Sequence, residues 1–578
     1  DGELDIRYDP ANIDYTGYFE SSFCYAVEDE VLTAVARAVD KRCLTDEASW
    51  SGDFLNYLTM TRMDTMRRAL YGGRRHLDID GKTVLRRAFV PWDNHTWGIE
   101  YSSVAVDGFD IAHYSPLAQP ESDTRHLLAT NNIVSRDDVP YLRVRENVAD
   151  ERIWDWVDRE RLQGGESADY APFEEGRSEE NRTTIVVDRD IVVDVEVCKA
   201  GFLEGACKVY PNGNAKPIGL LHEYGEDDSM YFSLITGSYE NNVRGGVLRQ
   251  VMSSFGSEEV DPDSGRFVVE LDPDTGEDVT SGIVAALDAI QIPNEYEKGT
   301  VQEDCGWLRE RPFENGECRA WGNPVAEMMY EGMRYLAGAQ SPTPAFAVDD
   351  DGGPGLAMDE GLGLESVSWD DPYSSERPYP QCSGAHQLVI SDPSPSFDGD
   401  QLPGSHFATF TGSTLGDLDV GALADQISAH EDGIPGMKFI GEVDGVGDGS
   451  PSPKLVSTLR TVRGQAPDAT YRQGSFYAPS VAWHGHRSDV HAGAAGVQNV
   501  GNFALVLGSP LPTIDVQLGG EKVSFAPFAK TVGGCGYTDS PSGGTDWDIA
   551  DYSPANAIVG FVVEESTPSA GSFRISFE

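Results

Sequence analysis

Apolar residues recur at nearly helical spacing in the stretch from Trp50 to Gly73. The apolar positions of this stretch are Phe54, Leu55, Leu58, Met63, Met66 and Leu70. Ser51 or Asp53 can cap the start of a helix here, and Gly72 with Gly73 can end it. The pattern predicts one buried amphipathic helix. A methionine-rich apolar stripe of this kind is more often part of a core than a binding site.

Elsewhere, short apolar runs bounded by turn-forming residues predict strands. These runs lie at 83–91, 230–239, 387–392, 500–508, 513–518, 557–564 and 572–577. Helical patterns occur at 318–336 and 420–430. Alternation of buried strands with amphipathic helices predicts an α/β fold with an open, mainly parallel sheet, whose ligand site lies at the carboxyl ends of its strands. Asp392 follows one such strand, and Asn323 precedes one of the helices.

The charge of the chain is strongly negative. Its 578 residues contain 43 Lys and Arg against 96 Asp and Glu, which gives a formal net charge of −53. Phosphate groups would be repelled by such a surface, so nucleic acid and anionic membranes are excluded as partners. The acidic excess suits a surface bathed in salt or divalent cations. The length allows two to four domains, or one large domain with long insertions.

Eight cysteines are present, and six of them form couples that are close in sequence. The couples are Cys24 with Cys43, Cys198 with Cys207, and Cys305 with Cys318, while Cys382 and Cys535 remain. An even count without a Cys-x-x-Cys pair favours structural disulfides over zinc, and therefore an oxidising, exported setting. The connectivity stays open at this point. No apolar run reaches membrane-spanning length, and the chain begins at Asp1 without a signal peptide, so we expect a mature product or a fragment.

Two acidic loops and one histidine-rich segment contain residues that could bind metal ions. The loops contain Asp261 and Asp263, and Asp272 and Asp274. Each loop could hold calcium, but neither has the twelve-residue pattern with a closing Glu, so ordinary hairpin turns are favoured. The segment 483–491 contains His484, His486, Asp489 and His491, a plausible zinc-like set for which surface histidines are the favoured interpretation. No catalytic motif is found, which predicts a protein that is not an enzyme.

Two consecutive motifs indicate a family. The sequence reads Trp-Ser-Gly-x-Phe-Leu-Asn at 50–56 and Thr-x-x-Asp-x-x-Arg at 61–67. Together with Tyr-Asp-Pro at 8–10 and Tyr-x-Gly-Tyr-Phe at 15–19, these motifs resemble the PilY family of type IV pilus tip proteins. The resemblance runs from residue 8 to residue 577. It is most specific at 50–73, 216–249, 318–336, 387–399 and 500–528.

The resemblance implies a fold and a domain organisation. The fold would be a von Willebrand factor A-like, Rossmann-like open sheet with long loop-rich insertions, stapled by disulfides. Residues 1–97 would begin this core, 98–215 would be an insertion, and 216–578 would complete the core around a loop insertion at 340–381. The family's C-terminal β-propeller would be missing, and both ends of the chain would be cut from a longer protein.

The resemblance also implies a metal site built from three loops. These are an Asp-x-Ser-x-Ser turn, a Thr in a second loop and an Asp in a third. Asp392 matches the third-loop Asp, and Asn323 stands in place of the Thr, which weakens the case for a metal. The resemblance places the Asp-x-Ser-x-Ser turn just before the Tyr-Asp-Pro region, so we expect this turn to be absent from the chain. Hard oxygen ligands of this kind suit Ca²⁺ or Mg²⁺.

The function implied by the resemblance is that of a non-enzymatic adhesin and pilus biogenesis factor. It would be exported through the periplasm to the extracellular pilus tip, seated on minor pilins, and would bind a host or abiotic surface receptor through loops. Neither nucleic acid nor membrane insertion is expected. An alternative hypothesis is a calcium-stabilised surface or filament subunit, which a chelator would dissolve. A hydrolase acting on polysaccharide is a third hypothesis.

Overall fold

The structure is a computed structural model of the chain. The residues that it describes are 7–44, 48–90, 97–130, 139–150, 153, 188–271, 278–280, 282–292, 315–316, 322–348, 358–465 and 473–507, together with the strands between 514 and 577. The chain divides into two compact units. The first unit comprises 1–229, 260–268 and 511–578, and the second comprises 230–259 and 269–510. The domain boundaries at 97, 215 and 340–381 stay predictions.

The described residues form strands and helices in every part of the chain. The strands are β1 (Phe23–Glu28), β2 (Val31–Arg37), β3 (Trp50–Ser51), β4 (Arg75–Ile79), β5 (Lys82–Arg86), β6 (Gly98–Tyr101), β7 (Arg125–Thr130), β8 (Tyr141–Val148), β9 (Arg189–Val192), β10 (Asp194–Val197), β11 (Cys207–Val209), β12 (Ala215–Pro217), β13 (Phe232–Thr236), β14 (Val247–Ser253), β15 (Val269–Leu271), β16 (Asp278–Thr280), β17 (Ala385–Ser391), β18 (Gly436–Val443), β19 (Val446–Val456), β20 (Val462–Gln465), β21 (Val500–Val506), β22 (Ile514–Leu518), β23 (Glu521–Phe525), β24 (Tyr537–Asp539), β25 (Thr545–Trp547), β26 (Ile558–Ser566) and β27 (Gly571–Phe577). The α-helices are α1 (Gly52–Thr59), α2 (Arg62–Tyr71), α3 (Val104–Asp107), α4 (Leu220–Gly225), α5 (Phe255–Glu258), α6 (Gly282–Ala289), α7 (Val325–Leu336), α8 (Met358–Gly361), α9 (Val420–Ser428) and α10 (Ala478–Arg487). The chain is therefore of mixed α/β class. None of the helices in the described residues is long and apolar enough to cross a membrane.

The first unit is built on a six-stranded sheet with the order β3-β1-β2-β10-β5-β4. Its strand pairs are antiparallel except β2 with β10, which run parallel through Leu32 and Val195. The expectation of a mainly parallel sheet is wrong for this unit. Asp29 and Glu30 connect β1 to β2, and their φ angles are positive, at 49° and 65°. A connection of two residues can only join antiparallel strands, because a parallel crossover needs about a dozen residues or more.

Antiparallel pairing also dominates the rest of the first unit. A four-stranded sheet has the order β6-β7-β8-β9, and β11 pairs with β12. The C-terminal strands pair as the hairpins β22–β23, β24–β25 and β26–β27. The final hairpin predicted from residues 557–577 is confirmed.

The predicted single helix at 50–73 is wrong in one respect, because it consists of two helices. Ser51 caps α1 through the N–H of Phe54, as predicted, and Gly72 ends α2 in the left-handed conformation. Between them the chain is extended at Thr61, whose side chain caps α2 in a capping box with Asp64. This local hydrogen-bonding competes with helix continuation and starts a new helix at the next residue.

Aromatic rings fill the core of the first unit beside α1. The ring of Tyr8 lies 4.8 Å from that of Phe54 and 5.1 Å from that of Phe109, measured between centroids. The hydroxyl of Tyr8 donates a hydrogen bond of 2.8 Å to the buried carboxylate of Asp53. The extended N-terminal segment is thus fixed to α1 both by ring packing and by a buried hydrogen bond.

The second unit contains the parallel pair β17–β21, in which Leu388 lies opposite Phe503. Helices α7 and α10 contact these strands and each other, and Tyr330, Met333 and Val481 are buried among them. The remaining pairs are antiparallel: β13 with β14, β15 with β16, and β18 with β19 and β20. Strand β17 was expected to be buried, but Leu388 is 57% exposed and Phe503 60%, because the helices cover one face of the pair.

Candidate functional site

The structure brings the two predicted site residues Asn323 and Asp392 together. Asp392 directly follows β17, and Asn323 lies two residues before α7 begins. The Asn323 Nδ2 atom donates to Asp392 Oδ1 at 3.3 Å and to the Ser391 hydroxyl at 2.8 Å. The site therefore lies at the carboxyl end of a parallel strand, where α/β sheets commonly place their ligands.

The backbones of the two segments are bonded as well. The N–H of Asn323 donates to the Ser396 hydroxyl at 2.7 Å, and the N–H of Ser396 donates to the Asn323 carbonyl at 2.9 Å. Within the turn, the N–H of Ser394 donates to Asp392 Oδ1 at 2.7 Å. Asn323 thus fixes the segment 392–396 through both its main chain and its side chain, while Asp392 stays exposed.

The Asp-x-Ser-x-Ser pattern that was not assigned from the sequence lies in this turn. Residues 392–396 read Asp-Pro-Ser-Pro-Ser. The expectation that the chain lacks the pattern is therefore wrong. The signal was present as a strand followed by the motif, but the resemblance placed this turn upstream of Tyr8 and assigned Asp392 to a different loop.

The hydrogen bonds of this site do not fit a divalent cation. A cation needs oxygen lone pairs that converge on one open centre. Here Asp392 Oδ1 accepts two N–H groups, and the Ser396 hydroxyl accepts a third. The Asn323 amide nitrogen, a donor, faces the carboxylate. The Ca²⁺ or Mg²⁺ of the sequence analysis stays a prediction, and this arrangement of donors does not support it.

Two buried carboxylates support the loop that follows the turn. Asp398 accepts the N–H of Ser475 at 2.7 Å and the N–H of Ala326, in the first turn of α7, at 3.4 Å. Burial raises the pKa of Asp398 to about 6. No sequence pattern indicated Asp398, because acidic residues next to glycine, as at 398–400, are equally typical of a solvated loop.

Glu327 is the second buried carboxylate, in the first turn of α7. It accepts the N–H of Gln401 at 2.8 Å and that of Gly245 at 2.9 Å. Burial raises its pKa well above the usual range, and the negative charge of Asp400 raises it further. Together with Asp398, Glu327 fixes residues 398–401 to the start of α7. The segment that follows the Asp392 turn is therefore anchored to a helix.

Comparison with known proteins decides the family. A family model described as "PilY1 homolog, small alpha/beta domain" matches residues 5–145, and one described as "PilY1 homolog, second domain" matches residues 232–485. A relative from Xylella fastidiosa (strain Temecula1 / ATCC 700964) is 38% identical over 596 aligned residues, which cover 100% of this chain. The chain belongs to the PilY1 homolog family. The PilY resemblance of the sequence is thereby confirmed.

The relative carries the name "Type IV pilus biogenesis factor PilY1 homolog", and the chain spans 38% of its length. A second protein of the same name and organism is 26% identical over 265 residues, which cover 43% of this chain and 19% of the relative. No solved structure matches the chain. The chain is thus a homologue of type IV pilus biogenesis factors, aligned with part of a longer protein.

The acidic turn at residue 261 is satisfied by its own backbone. Asp261 Oδ1 accepts the N–H groups of Asp263 at 3.0 Å and Ser264 at 2.7 Å, and also the Ser264 hydroxyl at 2.9 Å. The hydrogen bonds from Ser264 lower the pKa of Asp261. This geometry is that of an ordinary turn stabilised by its Asp side chain. Asp272 and Asp274 lie outside the described residues.

Two of the predicted cysteine couples are disulfides. Cys24 is bonded to Cys43, and Cys198 to Cys207. Cys382 is an exposed free cysteine. Cys305, Cys318 and Cys535 lie outside the described residues. Such structural disulfides fit a protein that functions outside the cytosol.

In the described part of the chain, one group of His, Cys, Asp and Glu side chains could converge on a metal ion. It consists of Cys198, Glu204 and Cys207. Both sulfurs are engaged in the disulfide and offer no thiolate, so this group does not fit a metal. The Glu204 carboxylate instead accepts the N–H of Cys198 at 2.7 Å.

The histidines of α10 and its C-terminal loop do not gather in the described structure. His484 is buried, and its Nδ1 atom lies 3.8 Å from Asp417 Oδ1. The Nε2 atom of His491 lies 3.2 Å from Asp371 Oδ1. Only His486 of the three is exposed. The favoured interpretation as surface histidines is therefore wrong for His484, which is only 5% exposed.

Proposed function

We propose that the chain is the adhesive part of a type IV pilus biogenesis factor, exported through the periplasm and placed at the pilus tip. The observation that carries the proposal is the 38% identity over the whole chain with a protein named for type IV pilus biogenesis. In this role it contacts minor pilins and binds a host or abiotic surface. Adhesive proteins commonly bind through loops on a rigid scaffold, and the exposed turn at Asp392 is such a loop. Asn323 is hydrogen-bonded to this turn, and Asp398, six residues further on, is hydrogen-bonded to Ser475.

The core of the second unit is proposed to be von Willebrand factor A-like. Three features support this: the parallel pair β17–β21, the packing of α7 and α10 against it, and the Asp-x-Ser-x-Ser turn at its carboxyl end. Parallel strands are normally covered on both faces, whereas the exposed Leu388 and Phe503 leave the second face of this pair open.

The proposed role is non-enzymatic. The Asp392 carboxylate accepts two N–H groups and the Ser396 hydroxyl accepts a third, so the hydrogen bonds of this turn fix its conformation and do not pair a hydroxyl nucleophile with a carboxylate base. Binding is therefore the activity that this arrangement supports best. A hydrolytic activity on polysaccharide that disappears when one carboxylate is substituted would contradict this assignment.

The test is made in the bacterium that carries the full-length gene. Deletion of the gene should abolish surface pili in a shearing assay, because a biogenesis factor is required for assembly. Asp392→Asn keeps the oxygen that accepts the Ser394 N–H but removes the exposed charge. We expect this variant to keep its pili and to lose adhesion to glass or host cells several-fold.

Asp263→Asn serves as the matched control, since it removes an exposed acidic charge from a turn in the first unit. Normal piliation in the deletion strain would refute the biogenesis role. Adhesion that simply follows the number of pili in every variant would refute the adhesive role.

A further inference from the structure

The first unit contains an open cleft of about 610 Å³ that the proposed function does not use. Its walls are the segment 15–21, helix α2 and residues 205–223. This volume lies within the range of roughly 300–1,000 Å³ that is typical of ligand pockets. The walls include parts of three stretches on which the PilY resemblance depends, namely 15–19, 50–73 and 216–249.

The first wall is held rigidly by side chains of α1 and α2. Asn56 Nδ2 donates to the carbonyls of Tyr15 at 2.9 Å and Phe19 at 2.8 Å. Thr65 donates to the Thr16 carbonyl at 3.3 Å, and the Arg68 guanidinium donates to the carbonyl of Gly17. Each carbonyl is fixed from a helix, so this side of the cleft is formed before any ligand arrives.

The opposite wall is fixed by a disulfide and by a close backbone contact. The Cys198–Cys207 disulfide closes the loop that contains Ala206, whose carbonyl accepts the N–H of Ile218 at 2.9 Å. A side chain at Gly219 would lie 2.4 Å from the carbonyl carbon of Leu70 on α2. A glycine is therefore required for this wall to approach α2 so closely.

The chemistry of the cleft combines an apolar surface with an acidic rim. Ala69, Ile218 and Leu220 contribute apolar surface, and Glu20 and Glu223 contribute carboxylates. Among the described residues that line the cleft, the one cation is Arg68, which donates to backbone carbonyls and lies 3.8 Å from the Glu20 carboxylate. Glu223 is exposed and has no ion-pair partner in the described part of the chain. The cleft therefore presents uncompensated negative charge beside apolar surface.

We propose that this cleft binds a peptide segment of a partner protein in which a lysine or arginine stands next to an apolar residue. The aliphatic stem of such a side chain can cover the apolar surface while its cationic head reaches the carboxylates of the rim. The charge of −53 attracts a cationic segment from a distance. Sugars are recognised by stacking on open aromatic rings. Of the aromatic residues in the lining, Phe19 is fully buried, and the ring of Tyr15 packs against Tyr8 and Tyr57.

The inference does not rest on adhesion through Asp392, which belongs to the second unit. The test uses the purified whole chain and a pentapeptide of alternating leucine and lysine with an acetylated N-terminus and an amidated C-terminus. Binding is measured by isothermal titration calorimetry at about 0.15 M salt, because charges further apart than about 8 Å are then screened from each other. The same peptide with glutamate in place of lysine is the ligand control. Maltohexaose tests for a sugar site.

Substitutions at two residues of the cleft distinguish local binding from general attraction. Ala69 is exposed on α2, so Ala69→Trp should fill the cleft without unfolding the unit and weaken binding of the lysine peptide at least about tenfold. Ala69→Ser is its matched control and should bind normally. Glu223→Gln should weaken binding about threefold, and Glu121→Gln, at an exposed residue outside the cleft, should not.

Three results would overturn the proposal. Equal weakening by Glu223→Gln and Glu121→Gln would show diffuse attraction to an acidic surface. Unchanged binding in an Ala69→Trp variant that keeps its melting temperature would place the peptide elsewhere. Binding of maltohexaose that is lost in Ala69→Trp, with no binding of the lysine peptide, would assign the cleft to sugars.

Discussion

The carboxylate of Asp64 joins helix α2 to the end of strand β5 through the backbone of Ala88. Its Oδ1 atom accepts the N–H of Ala88 at 2.6 Å, and its Oδ2 atom accepts the N–H and the hydroxyl of Thr61 at 2.9 and 2.7 Å. Asp64 is fully buried, and so is Arg87 beside Ala88. Burial lowers the pKa of Arg87 to about 10, while the charge of Asp64 raises it. One side chain thus caps a helix, holds a strand end and stabilises a buried cation.

Asp64→Asn is therefore expected to destabilise the chain strongly. The amide has one acceptor oxygen where the carboxylate has two, and it removes the negative charge of Asp64, which raises the pKa of the buried Arg87. We expect a loss of about 2–4 kcal/mol in the free energy of unfolding. Urea unfolding followed by circular dichroism measures it. Thr61→Ser keeps the capping hydroxyl and should lose less than about 0.5 kcal/mol, and an equal loss in both variants would contradict the assigned role of Asp64.

The buried Glu259 makes stability depend on pH. Its carboxylate accepts the N–H of Ile283 at 2.8 Å and that of Val284 at 2.9 Å, in the first turn of α6. Burial nevertheless raises its pKa to about 7 from 4.5. A carboxyl with a raised pKa in the folded state is stabilising below its unfolded pKa, and this contribution is lost as the pH rises through the folded value.

We therefore expect the second unit to lose stability between about pH 4.5 and pH 7, by up to about 3 kcal/mol from Glu259. Glu259→Gln cannot ionise and should flatten this part of the profile. Thermal unfolding of both proteins at pH 5, 6, 7 and 8, in buffers of equal ionic strength, measures the difference. Parallel profiles of the two proteins would show that Glu259 does not titrate in this range.

The contact of Asn323 with Asp392 predicts how the site responds to divalent cations. Asn323→Asp replaces the donor amide with a carboxylate that faces Asp392. We expect the variant to melt a few degrees lower in EDTA, because two carboxylates repel each other, and to recover in roughly millimolar Ca²⁺ or Mg²⁺. Differential scanning calorimetry measures both midpoints.

The wild-type chain is the control for this substitution, since N–H groups already donate to Asp392 Oδ1 and to the Ser396 hydroxyl oxygen. Its midpoint should move little when Ca²⁺ replaces EDTA. A midpoint that rises in the wild type as much as in the variant would show that the native site binds the ion, as the sequence analysis predicted.

The disulfide between Cys24 and Cys43 should stabilise the first unit. It joins residues 19 positions apart, and a loop of this size contributes about 3 kcal/mol in the chain-entropy model. The double substitution of Cys24 and Cys43 by Ser should lower the free energy of unfolding by about this amount. Dithiothreitol added to the wild type should have at least as large an effect, because it also opens Cys198–Cys207. Unchanged stability of the double variant would contradict this role.

Several features followed from the sequence because they depend on neighbouring residues. Ser51 caps α1 and Gly72 ends α2, as their positions predicted. The couples Cys24–Cys43 and Cys198–Cys207 were read from their spacing. The family was read from motifs, and the resemblance also named Asn323 and Asp392, which the fold brings together.

Other features were decided by contacts between distant residues. The buried network of Asp64 joins residues 24 positions apart, so an acidic residue in an amphipathic pattern gave no sign of it. The strand directions of the first unit were mistaken because alternation of elements does not reveal which strands pair.

The sequence by itself therefore determined the family and indicated two disulfide couples and the two ends of the helical region at 50–73, all of which rest on local chemistry or on motif order. Only the tertiary structure decided the rest. It showed that the amide of Asn323 faces the Asp392 carboxylate, and that segments 15–21 and 205–223 form one cleft with α2. Such arrangements are set by packing across long separations, which no local pattern encodes.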